Sequence, residues 1–590
     1  MGQRLEAVRA LMSDAGLDAF IVPRADEYLG EYIPAHNERL KWITGFNGSA
    51  GVAIILAHKA AIFVDGRYTV QVRQEVSTEF FEIHQLIEEP HVEWLQKQLQ
   101  PGATIAYDPR LHSLAWQRSA VDVFRATDQE MRALNNNIID RCWIDRPAPI
   151  IQAAILQGLV YTGESSVEKR RRIGADIAAR NADVALIFAP DSVSWLLNIR
   201  GTDIPCLPVV QSFAMLSADG SLVLFADPDR IPEGFDEHVG PGVEVLPETS
   251  AQEVFVRYSG MSVLGDAQGA NAWTQLALIA SGATLIDAPD PVLLPKACKN
   301  SVEVQGARNA HIRDAVAEIR FLAWLDDEVG AGRLHDEAAL SDQLLSYRQS
   351  GAYFQDLSFD TISAAGENAA MCHYNHLNGT PAQLPMNSVY LVDSGAQYFD
   401  GTTDITRTVA IGDPGDDVRH MYTLVLKGHI ALAQAQFPHG TTGTQLDVLA
   451  RQFLWQEGFD YDHGTGHGVG SFLSVHEAPQ RISKASSSVA LCEGMIISNE
   501  PGYYRDGGFG IRCENLVVVR TCSGGGGDRA MLDFETITLV PFDNRLLLPS
   551  LLNADEIDWL NNYHDKVRET LAPLLDDSDR RWLEQATVHV

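Results

Sequence analysis

Apolar residues near the amino terminus fall at helical spacing (Leu5, Val8, Leu11, Met12) and then gather into short continuous runs. The runs read as a strand from Asp18 to Pro23, a helix around Trp42, glycine-rich turns from Gly45 to Gly51, and strands at Val52–Leu56 and Ala61–Val64. Helices alternating with short buried strands predict an α/β layer structure. The same arrangement returns further on. Arg170–Arg180 is a helical stretch and Val184–Phe188 a strand, Trp195-Leu-Leu-Asn-Ile-Arg-Gly201 resembles Trp42-Ile-Thr-Gly45, and Ser221–Ala226 stands where Ala61–Val64 stood. This is an internal repeat of one domain type. The copies meet near Arg146-Pro-Ala-Pro149, where two prolines favour an extended linker.

A third region opens near Lys299. Asn300 with Glu303 makes a capping box, and Ile312, Ala315, Val316, Ile319, Leu322 and Ala323 continue at helical spacing. From Asn387 the pattern changes to strands: Val389–Val392, Ile405–Ala410, Met495–Ser498, Leu516–Arg520 and Thr536–Val540. Cys522-Ser-Gly-Gly-Gly-Gly-Asp528 reads as a flexible loop. The segment from Leu546 is polar and helical, with Trp559–Tyr563 as its most apolar face, and reads as a packing appendage. The expected fold class is α/β (α+β): related α/β domains over 1–147 and 148–298, a chemical domain over 299–542, and a helical extension over 543–590.

Composition narrows the function more than the fold. The 45% hydrophobic and 21% charged content of the 590 residues is that of a soluble globular protein. A net charge of −33 repels phosphate backbones and anionic lipid, so nucleic acid and membrane are not expected partners, and it favours cationic ligands such as a free amino terminus. Seven cysteines, an odd number without a CxxC pair, indicate neither a disulfide framework nor a zinc ribbon and point to a reducing compartment. No signal-peptide core, myristoylation pattern or membrane-length apolar run is present, so the expected location is cytoplasmic.

The chemistry concentrates between His373 and Glu514. Asp393 and Asp404 are eleven residues apart with Asp400-Gly401 between them, so a hairpin of irregular register returns one carboxylate beside the other. Glu500 and Glu514 are fourteen apart around Gly507-Gly508 and form a second such pair. Four carboxylates packed together repel and protonate unless cations neutralise them, and two divalent ions balance the charge. His467 supplies a nitrogen ligand. His463 stands four residues earlier, but Gly464, Gly466 and Gly468 argue against a helix, so the two histidines should have different jobs. Oxygen-rich ligation with one imidazole suits manganese, cobalt, iron or zinc, and carboxylate dominance tilts the choice to manganese.

Asp393-Ser-Gly-Ala-Gln-Tyr-Phe-Asp-Gly-Thr-Thr-Asp404, His463-Gly-Thr-Gly-His467, Glu500-Pro-Gly-Tyr-Tyr and Ile511-Arg-Cys-Glu514-Asn resemble the motifs of the pita-bread metallopeptidases, most closely the aminopeptidase P (Xaa-Pro aminopeptidase) family. The resemblance extends over the whole chain to the long three-domain cytosolic form, through Trp143-Ile-Asp-Arg-Pro147, Tyr161-Thr-Gly-Glu164 and Asp558-Trp-Leu-Asn-Asn-Tyr-His564. It implies creatinase-like N-terminal domains, a pita-bread catalytic domain and a homodimer. It also implies Asp393, Asp404, His467, Glu500 and Glu514 as ligands of a dinuclear, usually manganese, centre, with Asp404 and Glu514 bridging. His373, His463 and His476 would bind substrate and stabilise the transition state, Glu500 would move the proton, and Arg512 would orient the carboxylates.

The implied reaction is removal of an N-terminal residue ahead of a penultimate proline, by a hydroxide that the two metals share. Prolidase, an Xaa-Pro dipeptidase with the same ligands, is the nearest rival, although the doubled N-terminal region and long tail favour aminopeptidase P. A second rival is a pita-bread protein that has lost its metals and binds peptides or histones, against which the complete ligand set speaks. Fold alone decides neither.

Overall fold

The computed structural model describes residues 1–522 and 528–590; most of the expected glycine loop, 523–527, lies outside them. Packing divides the chain into two units, 1–157 with 164–293, and 158–163 with 294–590.

The first unit contains two six-stranded sheets. In chain order the first has β1 (Ala19–Pro23), β2 (Val52–Leu56), β3 (Ala60–Val64), β4 (Glu82–Gln85), β5 (Thr104–Tyr107) and β6 (Glu130–Ala133), arranged β4-β3-β2-β1-β5-β6. The second has β7 (Val184–Ile187), β8 (Phe213–Ser217), β9 (Leu222–Phe225), β10 (Val243–Leu246), β11 (Ser262–Gly265) and β12 (Thr284–Asp287), arranged β10-β9-β8-β7-β11-β12. Order and direction agree strand for strand: the first three strands of each copy pair antiparallel, and the outer three add in parallel. The repeat legible in the sequence is therefore a repeat of topology. β1, β3 and β7 are buried along their whole length, as continuous apolar runs require when helices cover both faces. The helix around Trp42 spans Arg39–Thr44 and stops at Gly45, whose φ of +84° is the left-handed conformation glycine adopts without cost.

The second unit opens on the helix Ser301–Gly330, capped by the Asn300–Glu303 box. Three strands, β13 (Ile362–Ala365), β14 (Ser388–Ser394) and β15 (Ile405–Ile411), form one antiparallel sheet. A six-stranded sheet contains β16 (Phe437–Pro438), β17 (Gly466–Gly468), β18 (Glu477–Ile482), β19 (Ile496–Asn499), β22 (Asn515–Thr521) and β23 (Met531–Thr536), arranged β16-β23-β22-β19-β17-β18. The hairpin β20 (Gly502–Arg505) with β21 (Phe509–Arg512) projects between β19 and β22.

One expectation needs correction. The strand read at Thr536–Val540 lies earlier, at Met531–Thr536. Residues 537–540 are buried but form no ladder: Ile537 N–H still donates to the Leu516 carbonyl of β22 (3.0 Å), whereas the Val540 carbonyl accepts from Tyr563 Oη (2.7 Å) and Arg407 Nη2 (2.6 Å). The helix Ala554–Leu571 packs on the core of this unit, as expected of the extension, and also carries a polar brace. Tyr563 is buried on it and receives Arg407 Nη2 at 3.1 Å, and the same guanidinium donates to the backbone carbonyl of Glu514.

Candidate metal centre

Strand register brings the carboxylates together. β14 and β15 pair Asp393 with Thr406 and Ser394 with Ile405, which leaves Asp404 one step beyond the last pair. Between them Ala396–Tyr398 and Gly401–Thr402 leave this sheet and pair in another with Phe354–Leu357, which is the irregular register expected of the hairpin. β19 and β22 end on the pair Asn499 with Asn515, so Glu500 and Glu514 stand together just past it. The excursion between them turns at Gly507, φ +62°. β17 runs antiparallel to β19 and carries His467.

Ligand-type atoms of Asp404, His467 and Glu514 all lie within 4.8 Å of one another. His467 Nε2 is 3.3 Å from Asp404 and 3.4 Å from Glu500, while its Nδ1–H donates to the Gly468 carbonyl at 3.0 Å, which aims Nε2 at the carboxylates. Thr406 Oγ1 donates to Glu514 at 2.7 Å and Ser498 Oγ to Glu500 at 3.1 Å. One oxygen of Asp393 accepts from Arg512; the other is buried without a hydrogen-bond partner.

Protonation follows from this crowding. Burial, and then the charges of Asp404, Glu500 and Asp393, push Glu514 well above the carboxylate range. Burial also raises Asp393, to about 6, despite the opposing Arg512 charge, and Glu500 is raised by burial against the pull of His467 and Arg512. Burial would lower His467, but the Asp404 hydrogen bond and the Glu500 charge outweigh it and raise it to about 9. Carboxylates whose proton affinity is raised, beside an imidazole whose own is raised by them, mark a site lacking positive charge. The donor set, four carboxylates with one imidazole and an orphaned Asp393 oxygen, fits two divalent cations.

Three more histidines surround this cluster. The His476 ring is edge-on to His467, centroids 4.4 Å apart. His463 Nδ1–H donates to the Gly464 carbonyl at 2.7 Å, and its Nε2 lies 2.8 Å from Tyr504 Oη. Burial first, then the Arg512 and His373 charges, hold His463 well below its ordinary value, which also places His373 within electrostatic reach of it. Arg512 donates to Asp393, to Thr406 Oγ1 (3.0 Å) and to Tyr504 Oη (2.6 Å), so a continuous relay runs Asp393–Arg512–Tyr504–His463.

Sequence reasoning quoted Tyr504 within a motif but gave it no role, and it missed His429 altogether. His429 is fully buried on the helix Asp416–Ala433. Its Nδ1–H reaches the carbonyls of Asn499 (3.1 Å) and Cys513 (3.2 Å), and Nε2 accepts from Asn515 (3.2 Å), clasping both strands just short of Glu500 and Glu514. Nothing in the sequence marks it apart from a polar residue on an apolar helix face. Burial, and then the Arg407 charge, lower it to about 3. In the unfolded chain the ring takes a proton near about 6.5, so between these values the unfolded state binds the extra proton and stability falls as pH drops. This one group contributes a slope of up to ~1.4 kcal/mol per pH unit below about pH 6.5 and none above it. Denaturation across that acidic range should show a shallower pH slope for His429→Asn than for the parent; equal slopes would assign the effect to other groups.

Residues 305–521 match the model of metallopeptidase family M24, residues 4–136 and 145–303 each match a creatinase/prolidase N-terminal domain, and residues 530–590 match the C-terminal region of peptidase M24. Aminopeptidase P1 of Lotus japonicus is 37% identical over 100% of this chain and 99% of its own length. A probable Xaa-Pro aminopeptidase P of Paracoccidioides brasiliensis is 38% identical over 99% of this chain and 98% of its own. The crystal structure of X-prolyl aminopeptidase from Caenorhabditis elegans, described as a cytosolic enzyme with a di-nuclear active site, superposes with a TM-score of 0.95 at 31% identity, covering 100% of this chain and 99% of that one.

Proposed function

We infer the activity of a chain that belongs to metallopeptidase family M24, among the aminopeptidases P: it is a metal-dependent exopeptidase that hydrolyses the bond between an N-terminal residue and a penultimate proline. The observation that carries this reading is the convergence of Asp404, His467 and Glu514 within 4.8 Å in a chain that superposes along its whole length on an X-prolyl aminopeptidase.

We assign Asp393, Asp404, His467, Glu500 and Glu514 as the residues that would hold two divalent metals. Metals held by these residues would supply the positive charge the carboxylates lack and would make water acidic enough to serve as nucleophile near neutral pH. The chain's own groups do the rest. Asp393, Arg512 and Tyr504 orient His463, which with His373 and His476 receives the scissile carbonyl and the charge that develops on it. Glu500, whose proton affinity burial raises, passes a proton to the departing proline nitrogen. That nitrogen carries no N–H in the substrate, so recognition rests on a pocket for the ring instead of backbone pairing. The net charge of −33 favours approach of the free α-ammonium of the substrate.

Finer points stand as proposals with this reading. Manganese is the expected metal because oxygen donors dominate, and cobalt and zinc are the alternatives. A cytoplasmic homodimer is expected, consistent with the description of the nematode enzyme as cytosolic. Among the described residues no helix is long and apolar enough to cross a membrane. The proposed domains are 1–147, 148–298, 299–542 and 543–590.

Amino-acid release should be timed from Xaa-Pro-Xaa, Xaa-Ala-Xaa and N-acetylated Xaa-Pro-Xaa at equal concentration, with manganese restored after chelation. Loss of the ring's contacts should slow the alanine peptide about 10- to 200-fold, and acetylation should suppress cleavage. Equal rates on the first two peptides would sink the reading.

A further inference from the structure

Two lysines, Lys296 and Lys299, converge on one glutamate, Glu477, and all three side chains are buried, with exposures of 1%, 1% and 0%. Lys296 Nζ is 3.5 Å from Oε1, and Lys299 Nζ makes a short bond with Oε2. Removing two ammonium groups from water for one carboxylate costs several kcal/mol per ion by ordinary desolvation, and apolar side chains would fill the same space with no such cost. An arrangement of this kind points to placement of Glu477 more than to stability.

What Glu477 places is visible in the backbone. It follows His476 directly and opens β18, where its Cα partner is Gly468, the residue after His467. A Cβ at position 468 would collide with the Glu477 carbonyl, so the two chains touch there. The His476 carbonyl accepts from Ser474 Oγ at 2.8 Å, and its ring lies against His467 at 4.4 Å between centroids. The lysines are themselves fixed: Lys299 N–H donates to the Gly494 carbonyl at 3.1 Å, immediately before the helix cap at Asn300.

We propose that Lys296 and Lys299 are positioning residues for the reaction, which, by clamping Glu477, hold the His476 imidazole at its angle and distance from His467. The inference rests on the peptidase reading above. Misplacing such a group by about 1 Å costs on the order of 100-fold in rate, so Lys299→Met should lower kcat about 10- to 100-fold, with KM nearly unchanged and metal content retained. The discriminating measurement is the same substitution in a His476→Ala background. There the imidazole is gone, and the further loss should shrink to less than about 3-fold, since coupled groups are non-additive. Lys299→Arg keeps the charge and should fold with the parent's melting temperature, yet show an intermediate loss of kcat, which preserves the test if Lys299→Met folds poorly. Equal losses in both backgrounds, or losses that track missing metal, would overturn the proposal. Failure of the unsubstituted enzyme to cleave Xaa-Pro peptides would instead overturn the peptidase reading.

Discussion

Glu514→Ala should abolish hydrolysis and strip metal from the protein. This side chain is buried at 1% exposure among Asp404, Glu500 and Asp393, and it accepts a hydrogen bond from Thr406 Oγ1. Without it the cations lose a proposed shared carboxylate, and ligand affinity and nucleophile are lost together. The deficit in kcat/KM should far exceed the ~100-fold that removal of an outer-shell partner produces. Asp404→Ala should behave alike, because its carboxylate faces the same His467 Nε2 at 3.3 Å. Elemental analysis alongside kinetics checks both variants. Either one retaining two metals per chain and turning over would remove the assignment.

His463→Ala should do the opposite to metal and nearly as much to rate: full occupancy, with kcat down by about 10²- to 10³-fold, the cost of losing one donor to a developing oxyanion. The ring is tied to Tyr504 and, through Arg512, to Asp393, so it is oriented by the cluster while its Nδ1 stays 4.0 Å from the nearest Glu500 oxygen. Its neutral form is enforced by burial. Tyr504→Phe, which loosens the ring without removing it, provides an intermediate comparison. If His463→Ala loses as much metal as His467→Ala, then His463 is a ligand and the division of labour between the two histidines fails.

What the sequence made legible follows from how local the physics is. The pairs Asp393–Asp404 and Glu500–Glu514 could be read because each sits on short strands that fold back on one another, with glycine at or near the turn, and the ladder pairing Asn499 with Asn515 is the direct product of that pattern. His467 was readable because glycines on both sides exclude a helix, and it lies in a three-residue strand. The internal repeat was visible in a few matched residues, yet its strand order was not, since β5 and β6 add beside β1 by crossover connections that leave no local signature. The residues that escaped notice, among them His429, Arg407 and the Lys299–Glu477 clamp, share one property. Their partners are distant in the chain, as Asn499 is from His429 by 70 positions, Val540 from Arg407 by 133 and Glu477 from Lys299 by 178. The misplaced strand at 536–540 has the same origin: its apolar pattern is genuine, but the Val540 carbonyl is taken by the distant Arg407 and Tyr563 side chains.

Arg407 also orders events in time. Its guanidinium holds the Glu514 carbonyl, Asn515, Pro541, Val540 and the hydroxyl of Tyr563, and it is buried at 1% exposure. Ribosomes deliver these partners from the amino terminus onward, so the arginine and every proposed ligand emerge before the helix that completes its coordination. A nascent chain at that stage has its carboxylates but not the brace behind Glu514, and metal captured then would bind an unfinished cradle. The helix Ala554–Leu571 is thus the last to be synthesised of the elements that meet at Arg407, and the brace behind Glu514 is complete only once Tyr563 is in place.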